Sequence, residues 1–299
     1  MQFVLTFPDI DPALFSFEVF GFEIALRWYA LAYIGGLLFA WWYVNRLVLR
    51  PQLWGPKGPP LAKTETEDLL TWMVLGVILG GRLGYVFFYR ADYYLDHPGE
   101  ILAVWEGGLS FHGGFLGVVL GIIGYSLVKR RNMISVGDAV AASVPIGLML
   151  GRLANFINGE LWGRPTNVEW GMVFPDPAAQ ICSAQFGDIC ARHPSQLYQA
   201  GLEGFALFVI LAWGVWRLGW LKRPGRTIGF FLLGYGLFRT FVEGFRQGDS
   251  QFVTDLNPFG HVLHFGTTAD AWGLTMGQIL SLPMVALGLL IVLATRQRR

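Results

Sequence analysis

Charge is what this chain has least of. Asp, Glu, Lys and Arg make up 14% of its 299 residues, and hydrophobic residues 54%. A soluble globular domain carries about 25% charged residues, so this composition argues against a water-soluble protein with one very large core. Acidic and basic residues nearly cancel, at 21 and 22. That leaves no basic surplus of the kind that grips a nucleic-acid backbone, and no nucleic-acid partner is expected. Cysteine is almost missing, with Cys182 and Cys190 alone. Paired CxxC motifs and HExxH are absent, so a metal site has little support; His261, His264 and Asp270 are the nearest approach to one. No glycine loop followed by Lys and Ser or Thr occurs, no GxGxxG and no GxSxG. These absences argue against nucleotide, dinucleotide and serine-lipase chemistry. The first 22 residues have no basic segment leading to a small-residue cleavage site, so no cleaved signal peptide is expected. Internal repeats and low-complexity tracts are lacking as well.

Long apolar runs are what the chain does have. A hydrocarbon core needs roughly 17–25 residues of helix. Seven stretches qualify, near 23–45, 68–89, 111–128, 136–157, 197–217, 228–244 and 275–294. The loop charges test this reading independently. Arg46, Arg50, Lys57 and Lys63 follow the first stretch; Lys129, Arg130 and Arg131 the third; Arg217, Lys222, Arg223 and Arg226 the fifth; Arg296, Arg298 and Arg299 the seventh. Far fewer follow the even-numbered stretches: Arg90, Arg164, Arg192 and Arg246. Basic loops mark the cytoplasmic side, which predicts an external N-terminus and a cytoplasmic C-terminus. The expected fold is all-α, a single integral-membrane domain over 1–299 with seven transmembrane helices. External loops fall near 90–110, 158–195 and 245–274, and build a small external head. The first of these carries Tyr93, Tyr94, Leu95 and Trp105, suited to a short helix at headgroup level. Cys182 and Cys190 share the second, where an oxidising exterior permits a disulfide. Bridged and free thiols are equally compatible with their spacing.

Four arginines lie in or against the apolar runs: Arg27, Arg82, Arg152 and Arg239. A charge at bilayer depth costs about 2.5–3.5 kcal/mol on lenient insertion scales, so four of them point to an anion held at or near the membrane. Arg27, beside Trp28 and Tyr29 at the start of the first stretch, is explained by snorkelling to the headgroups. Arg152 opens the densest polar cluster, which continues through Asn155, Asn158, Glu160 and Gly163. In a helix Arg152 and Asn155 share one face. A guanidinium grips a phosphate through two parallel hydrogen bonds, and the asparagine amides suit ester or glycerol oxygens. Glu160 is placed to pair with an arginine or to orient a hydroxyl. Glu243 follows Arg239 by four residues, so the two can bridge on one helical face. Arg82 lies deeper and fits either a helix bridge or the anion site. His112, flanked by glycines at the outer end of the third stretch, is the best acid–base candidate, because imidazole titrates near neutrality. A structural histidine is the competing reading, and a purely structural polar network is the competing reading for the arginines.

These residues carry a resemblance. The segment GRLANFINGELWG at 151–163 resembles the signature of the prolipoprotein diacylglyceryl transferase family. Supporting segments are RWYALAY at 27–33, GGRLGYVFFY at 80–89, EGGLSFHGG at 106–114, HPSQLYQ at 193–199 and YGLFRTFVEGFRQ at 235–247. The similarity spans essentially the whole chain. Two places fit the pattern less closely: the loop from Phe174 to His193, and Gly248, where the family often has Pro.

The resemblance implies a seven-helix enzyme of the bacterial inner membrane, with its N-terminus periplasmic. It would move a diacylglyceryl group from phosphatidylglycerol to the lipobox cysteine thiol of a prolipoprotein and release glycerol-1-phosphate. Its catalytic positions fall on Tyr29, His112, Arg152, Asn155, Glu160 and Arg239. Arg82, Asn158, Gly163, Glu243 and Arg246 are the expected substrate-binding set. No cofactor is expected, because the phosphate is already a workable leaving group. An anionic-lipid carrier would use intramembrane arginines equally well, but carriers often show inverted repeats, which are not found here. A structural scaffold would not need His112 beside an arginine cluster.

Overall fold

The computed structural model describes residues 5–19, 22–182, 190–248, 250–254, 257–266 and 272–296. The helices are α1 (Trp28–Val48), α2 (Glu65–Tyr89), α3 (Ala91–Asp96), α4 (Phe111–Val128), α5 (Met133–Ala141), α6 (Val144–Ile157), α7 (Ser195–Gln199), α8 (Leu207–Trp216), α9 (Arg226–Val242) and α10 (Met276–Ala294). A π-helical segment, Ala200–Ala206, joins α7 to α8. The strands are β1 (Leu5–Thr6), β2 (Ala13–Val19), β3 (Phe22–Arg27), β4 (Met172–Val173), β5 (His261–His264) and β6 (Gly273–Thr275). They form three two-stranded sheets: β1–β4 parallel, β2–β3 and β5–β6 antiparallel. The fold is therefore largely helical, with small sheets, where only helices were expected.

Among the described residues, three continuous helical stretches are long and apolar enough to cross a membrane: Glu65–Tyr89, Ser195–Trp216 and Met276–Ala294. A fourth is added if α5 and α6 count as one broken span. The helix boundaries explain part of the shortfall from seven. Residues 23–27, expected to open the first span, belong to β3, because apolar and other residues alternate there with period two. The fourth stretch, expected unbroken from 136, is interrupted at Ala142 and Ser143. Pro145 follows at once in the first turn of α6, where its missing N–H does no harm.

The chain forms two compact units, one from residues 1–40, 141–218 and 226–299, the other from 41–140 and 219–225. In the second, α2 and α4 pack backbone to backbone. Gly76, Gly80 and Gly84 face Gly113 and Gly117, and Gly121 faces the Trp72 backbone. A Cβ on Gly80 would lie 2.8 Å from Gly117 Cα, and one on Gly84 2.7 Å from Gly113 Cα. Small residues at every fourth position on both partners permit this approach. Beyond it, Lys129 pairs with Asp68 at 2.9 Å and Arg131 with Glu65 at 2.7 Å.

In the first unit α9 packs on α10 through Gly236, whose Cβ would meet Val285 at 2.7 Å, and the π segment packs on α6 through Gly204 against Met149. Thr275 and Gln278 cap α10 reciprocally, satisfying two of its free N-terminal donors. The hairpin β2–β3 is tied to α1 by Trp28, whose backbone N donates to Pro12 O at 3.1 Å and whose indole donates to Asp11 O at 3.1 Å. Cys182 and Cys190 are disulfide-bonded, with Cα atoms 5.7 Å apart. Arg192, 3% exposed, donates to Ala179 O, Ile181 O, Gly163 O and Gln247 Oε1 and covers the Trp162 ring. Burial pushes its guanidinium down to about 10, still charged at neutral pH. In the 90–110 loop the short helix is α3, with Leu95 and Trp105 exposed.

Candidate active site

The polar centre of the first unit grows from the end of α6. Arg152 Nη1 donates to Asn155 Oδ1 at 3.3 Å, one helical turn on. Asn155 is 6% exposed, and its amide donates to Glu160 Oε1 at 2.8 Å. Asn158 donates to the same oxygen at 3.3 Å. The chain can fold back to bring Glu160 there because Gly159 and Leu161 take positive φ, 68° and 56°. Such a backbone suits Gly and strains Leu. Gln196 Nε2 on α7 then holds the Glu160 carbonyl at 2.6 Å. Glu160 thus engages both asparagines. Arg152 itself makes no ion pair among the described residues.

Arg239 on α9 supplies the second cation. It pairs with Glu243 at 3.0 Å, the i,i+4 partner expected from spacing, and approaches Glu203 at 3.8 Å. Arg246 shares Glu243 at 2.9 Å, and Thr275 Oγ1 donates to the other Glu243 oxygen at 3.2 Å. Gly277 makes room for that carboxylate, since a Cβ there would lie 2.5 Å from Glu243 Cδ. The charges of Glu203, Arg239 and Arg246 and the Tyr235 hydroxyl all reach Arg152, so the two arginine clusters form one electrostatic field. Tyr29 enters through Tyr33: their rings lie 5.1 Å apart, and the charge of Arg152 acts on Tyr33. Gly163 bridges to Arg246 and donates to His193 O at 2.9 Å. A Cβ there would meet Phe245 O at 2.5 Å, so only glycine fits where three segments cross.

The structure therefore brings together Tyr29, Arg152, Asn155, Asn158, Glu160, Gly163, Arg239, Glu243 and Arg246. Glu203 joins them without having been anticipated. It is 1% exposed and sits in the π segment, and among the described residues neither its Oε1 nor Arg239 Nη1, 3.8 Å away, makes a hydrogen bond. Its signal was available, because it is the one charged residue between Arg192 and Arg217. The depth argument that picked out the arginines applies equally to it. Gln196 and Gln199, 0% exposed on α7, were quoted only within a motif.

His112 and Arg82 belong to the second unit. His112 is exposed at the second position of α4, a helix capped by Ser110, whose Oγ accepts from Gly113 N at 3.2 Å. Arg82 is 1% exposed. It donates to Ile101 O at 2.8 Å, Glu100 O at 2.7 Å and Gly107 O at 2.5 Å, with the Tyr94 ring 5.2 Å from its Cζ. All three of its nitrogens are engaged by main chain, which favours the bridging alternative. Arg27 is exposed at the end of β3. His261 and His264 share β5, with rings 5.7 Å apart, and Asp270 lies outside the described residues.

A largely helical membrane protein whose apolar body gathers arginines, carboxylates and amides belongs to the class that handles anionic groups at the bilayer. The comparisons with known proteins narrow that class. The sequence model of the prolipoprotein diacylglyceryl transferase family matches residues 15–294, and the chain belongs to that family. It is 55% identical over 296 residues to the phosphatidylglycerol–prolipoprotein diacylglyceryl transferase of Roseobacter denitrificans, and 57% identical over 296 residues to that of Ruegeria pomeroyi, covering 99% of both chains in each case. With the Paramagnetospirillum magneticum enzyme of the same name it shares 49% over 294 residues, 97% of this chain and 95% of that one.

Proposed function

We propose that this chain transfers the diacylglyceryl group of phosphatidylglycerol to a prolipoprotein cysteine with the residues gathered around Arg152 and Arg239. The family supplies the reaction; the residue roles are part of the proposal. The cysteine sulfur attacks the glyceryl carbon that carries the phosphate ester. The C–O bond breaks, its electron pair goes to the phosphate, and glycerol-1-phosphate departs while a thioether forms. Charge grows on the leaving phosphate, and Arg152 and Arg239 stabilise it in a poorly solvated interior. The observation that carries this reading is Arg239 Nη1, a buried guanidinium nitrogen 3.8 Å from Glu203 that makes no hydrogen bond among the described residues, with Arg152 likewise making no ion pair among them. Buried donors of this kind call for an explanation, and a phosphate oxygen supplies one.

Asn155 and Asn158 hold ester or glycerol oxygens, with Glu160 fixing their amides. Glu243 orients Arg239 and Arg246 together, and Glu203 steadies Arg239 from α7's continuation. Tyr29, beside Tyr33, lines the donor's approach. His112 takes the thiol proton. We further propose seven spans, with the N-terminus periplasmic and the C-terminus cytoplasmic. The support is the alternation of basic loops, together with helical segments close to all seven apolar stretches. Accessibility labelling of tags at the two ends tests the topology; both ends reacting from one side would overturn it.

Transfer from labelled phosphatidylglycerol to a lipobox peptide tests the chemistry. His112→Gln keeps polarity and loses the base. Its defect should shrink as pH rises between about 6.5 and 9, because the substrate thiol then ionises unaided. A defect constant across that range, with lipid binding falling in parallel, would make His112 a binding residue.

A further inference from the structure

We infer that Arg82 is a positioning residue for His112: it bolts the loop that leads into α4 onto α2, and it acts on transfer through that histidine. The inference rests on the reading of His112 as the base.

Within the loop from 98 to 110 the internal backbone bonds are short-range turns, the last from Gly107 N to Val104 O. It contains two 3₁₀ turns and two consecutive glycines, Gly107 and Gly108, at φ 82° and 74°. Left alone, such a segment samples many conformations. α2 fixes it at successive points. Arg82 takes the carbonyls of Glu100 and Ile101 at one end of the loop and of Gly107 at the other. The Tyr85 ring presses on Gly108 so closely that a Cβ would fall 2.5 Å from it. The Gly81 carbonyl accepts from Ser110 N at 2.8 Å. Ser110 then caps α4, and His112 follows two residues later.

The planar guanidinium is what joins the two ends of the loop. Its three nitrogens address three main-chain carbonyls, and the Tyr94 ring lies 5.2 Å from its Cζ. Lysine carries the same charge on a point donor and cannot span that set. A buried, fully engaged charge of this type is costly to disturb, so Arg82 holds the loop in one arrangement rather than several. Loss of the bolt frees Gly107 and Gly108 and lets the first turn of α4 shift. A displacement of about 1 Å at a reacting group is enough to cost about 100-fold in rate.

The test is a cycle of Arg82→Lys, His112→Gln and the double variant in the full-length enzyme, with transfer kinetics and amide exchange over residues 100–112. Arg82→Lys should lower kcat by about 10- to 100-fold with KM for phosphatidylglycerol little changed, and should speed exchange at Gly107–His112. In the His112→Gln background the same substitution should cost less than about threefold, because coupled residues are not additive. Should Arg82→Lys not accumulate as folded protein, Tyr94→Leu removes the ring beneath the guanidinium and gives a milder form of the same cycle. If His112→Gln is crippled but the two losses multiply in full, or if Arg82→Lys raises KM for the lipid and leaves kcat intact, Arg82 does not act through His112. If His112→Gln alone keeps near-normal turnover, it is the base assignment that fails.

Discussion

Arg192 and Arg239 lie in the same unit, both largely withdrawn from solvent, and they are held in opposite ways. Arg192 is wrapped by three backbone carbonyls, one side-chain amide oxygen and the Trp162 ring. Arg239 is held by carboxylates: Nη2 pairs with Glu243 at 3.0 Å, while Nη1 lies 3.8 Å from Glu203 and makes no hydrogen bond among the described residues. Arg82 follows the first pattern; Arg152, like Arg239, is met by a side chain, the Asn155 amide oxygen at 3.3 Å. The difference teaches how one residue type serves two ends. A guanidinium closed by carbonyls has no capacity left for a ligand and works as a bolt in the main chain. A guanidinium steered by side chains has a fixed direction and an open donor, which is what a transient phosphate charge requires.

The largest expected effect divides the two patterns cleanly. Arg152→Ala and Arg239→Ala should each cut transfer by about 100- to 1000-fold, equivalent to about 2.7–4 kcal/mol of lost transition-state stabilisation. The protein should remain folded and membrane-inserted, as judged by its melting curve in detergent. Arg192→Met reverses the balance: stability should drop by about 1.5–3 kcal/mol as charged hydrogen bonds disappear, while turnover per folded molecule stays within a few-fold of the parent. Thermal melts beside active-site titration distinguish these outcomes. An Arg192→Met enzyme that melts normally but does not turn over would break the comparison.

The disulfide gives an effect of similar size in the same region as Arg192. Replacing Cys182 and Cys190 by Ser should cost about 2–3 kcal/mol on the chain-entropy account of a short closed loop. Transfer activity should survive, since neither sulfur has a role in the chemistry. Nonreducing peptide mapping checks the bridge, and melts of the double variant check its worth.

The smallest effect concerns His193, which crosses Gly163 and sits against Tyr198 and Phe245. Burial, with the nearby Arg164 charge, holds its imidazole below the ordinary histidine value. The neutral ring is therefore the form the fold favours. Its contribution is complete above the unfolded value of about 6.5 and is lost as pH falls through the lower folded value. Melts between about pH 7.5 and 5.5 should show a slight fall that His193→Phe removes. A parent and variant with the same slope would remove His193 from the account.

Much of this was legible in the sequence. Apolar runs and alternating basic loops located the helical segments, because membrane insertion is read from composition. The i,i+4 spacing of Arg239 and Glu243 gave their pair. What was not legible has physical causes. Residues 22–27 are apolar enough to pass for helix, and only their period-two alternation marks β3. The break before α6 turns on Pro145, which a membrane helix would otherwise tolerate. Glu203 was missed because it sits singly in an apolar run outside the signature. Arg82 could not be assigned from sequence, since its partners are backbone carbonyls, and carbonyls have no letter. The same holds for the glycine pairs of α2 and α4, whose purpose appears only when the helices meet.

The central claim is that Arg152 and Arg239 act on the charge that develops as the phosphate leaves. Its most direct test is single-turnover transfer by Arg152→Lys and Arg239→Lys beside equilibrium binding of phosphatidylglycerol. Lysine preserves charge and loses the planar two-pronged donor. The account predicts a rate loss of about 100-fold or more with lipid affinity changed only a few-fold, because the interaction strengthens in the transition state. Near-normal rates, or a loss confined to lipid affinity, would contradict it.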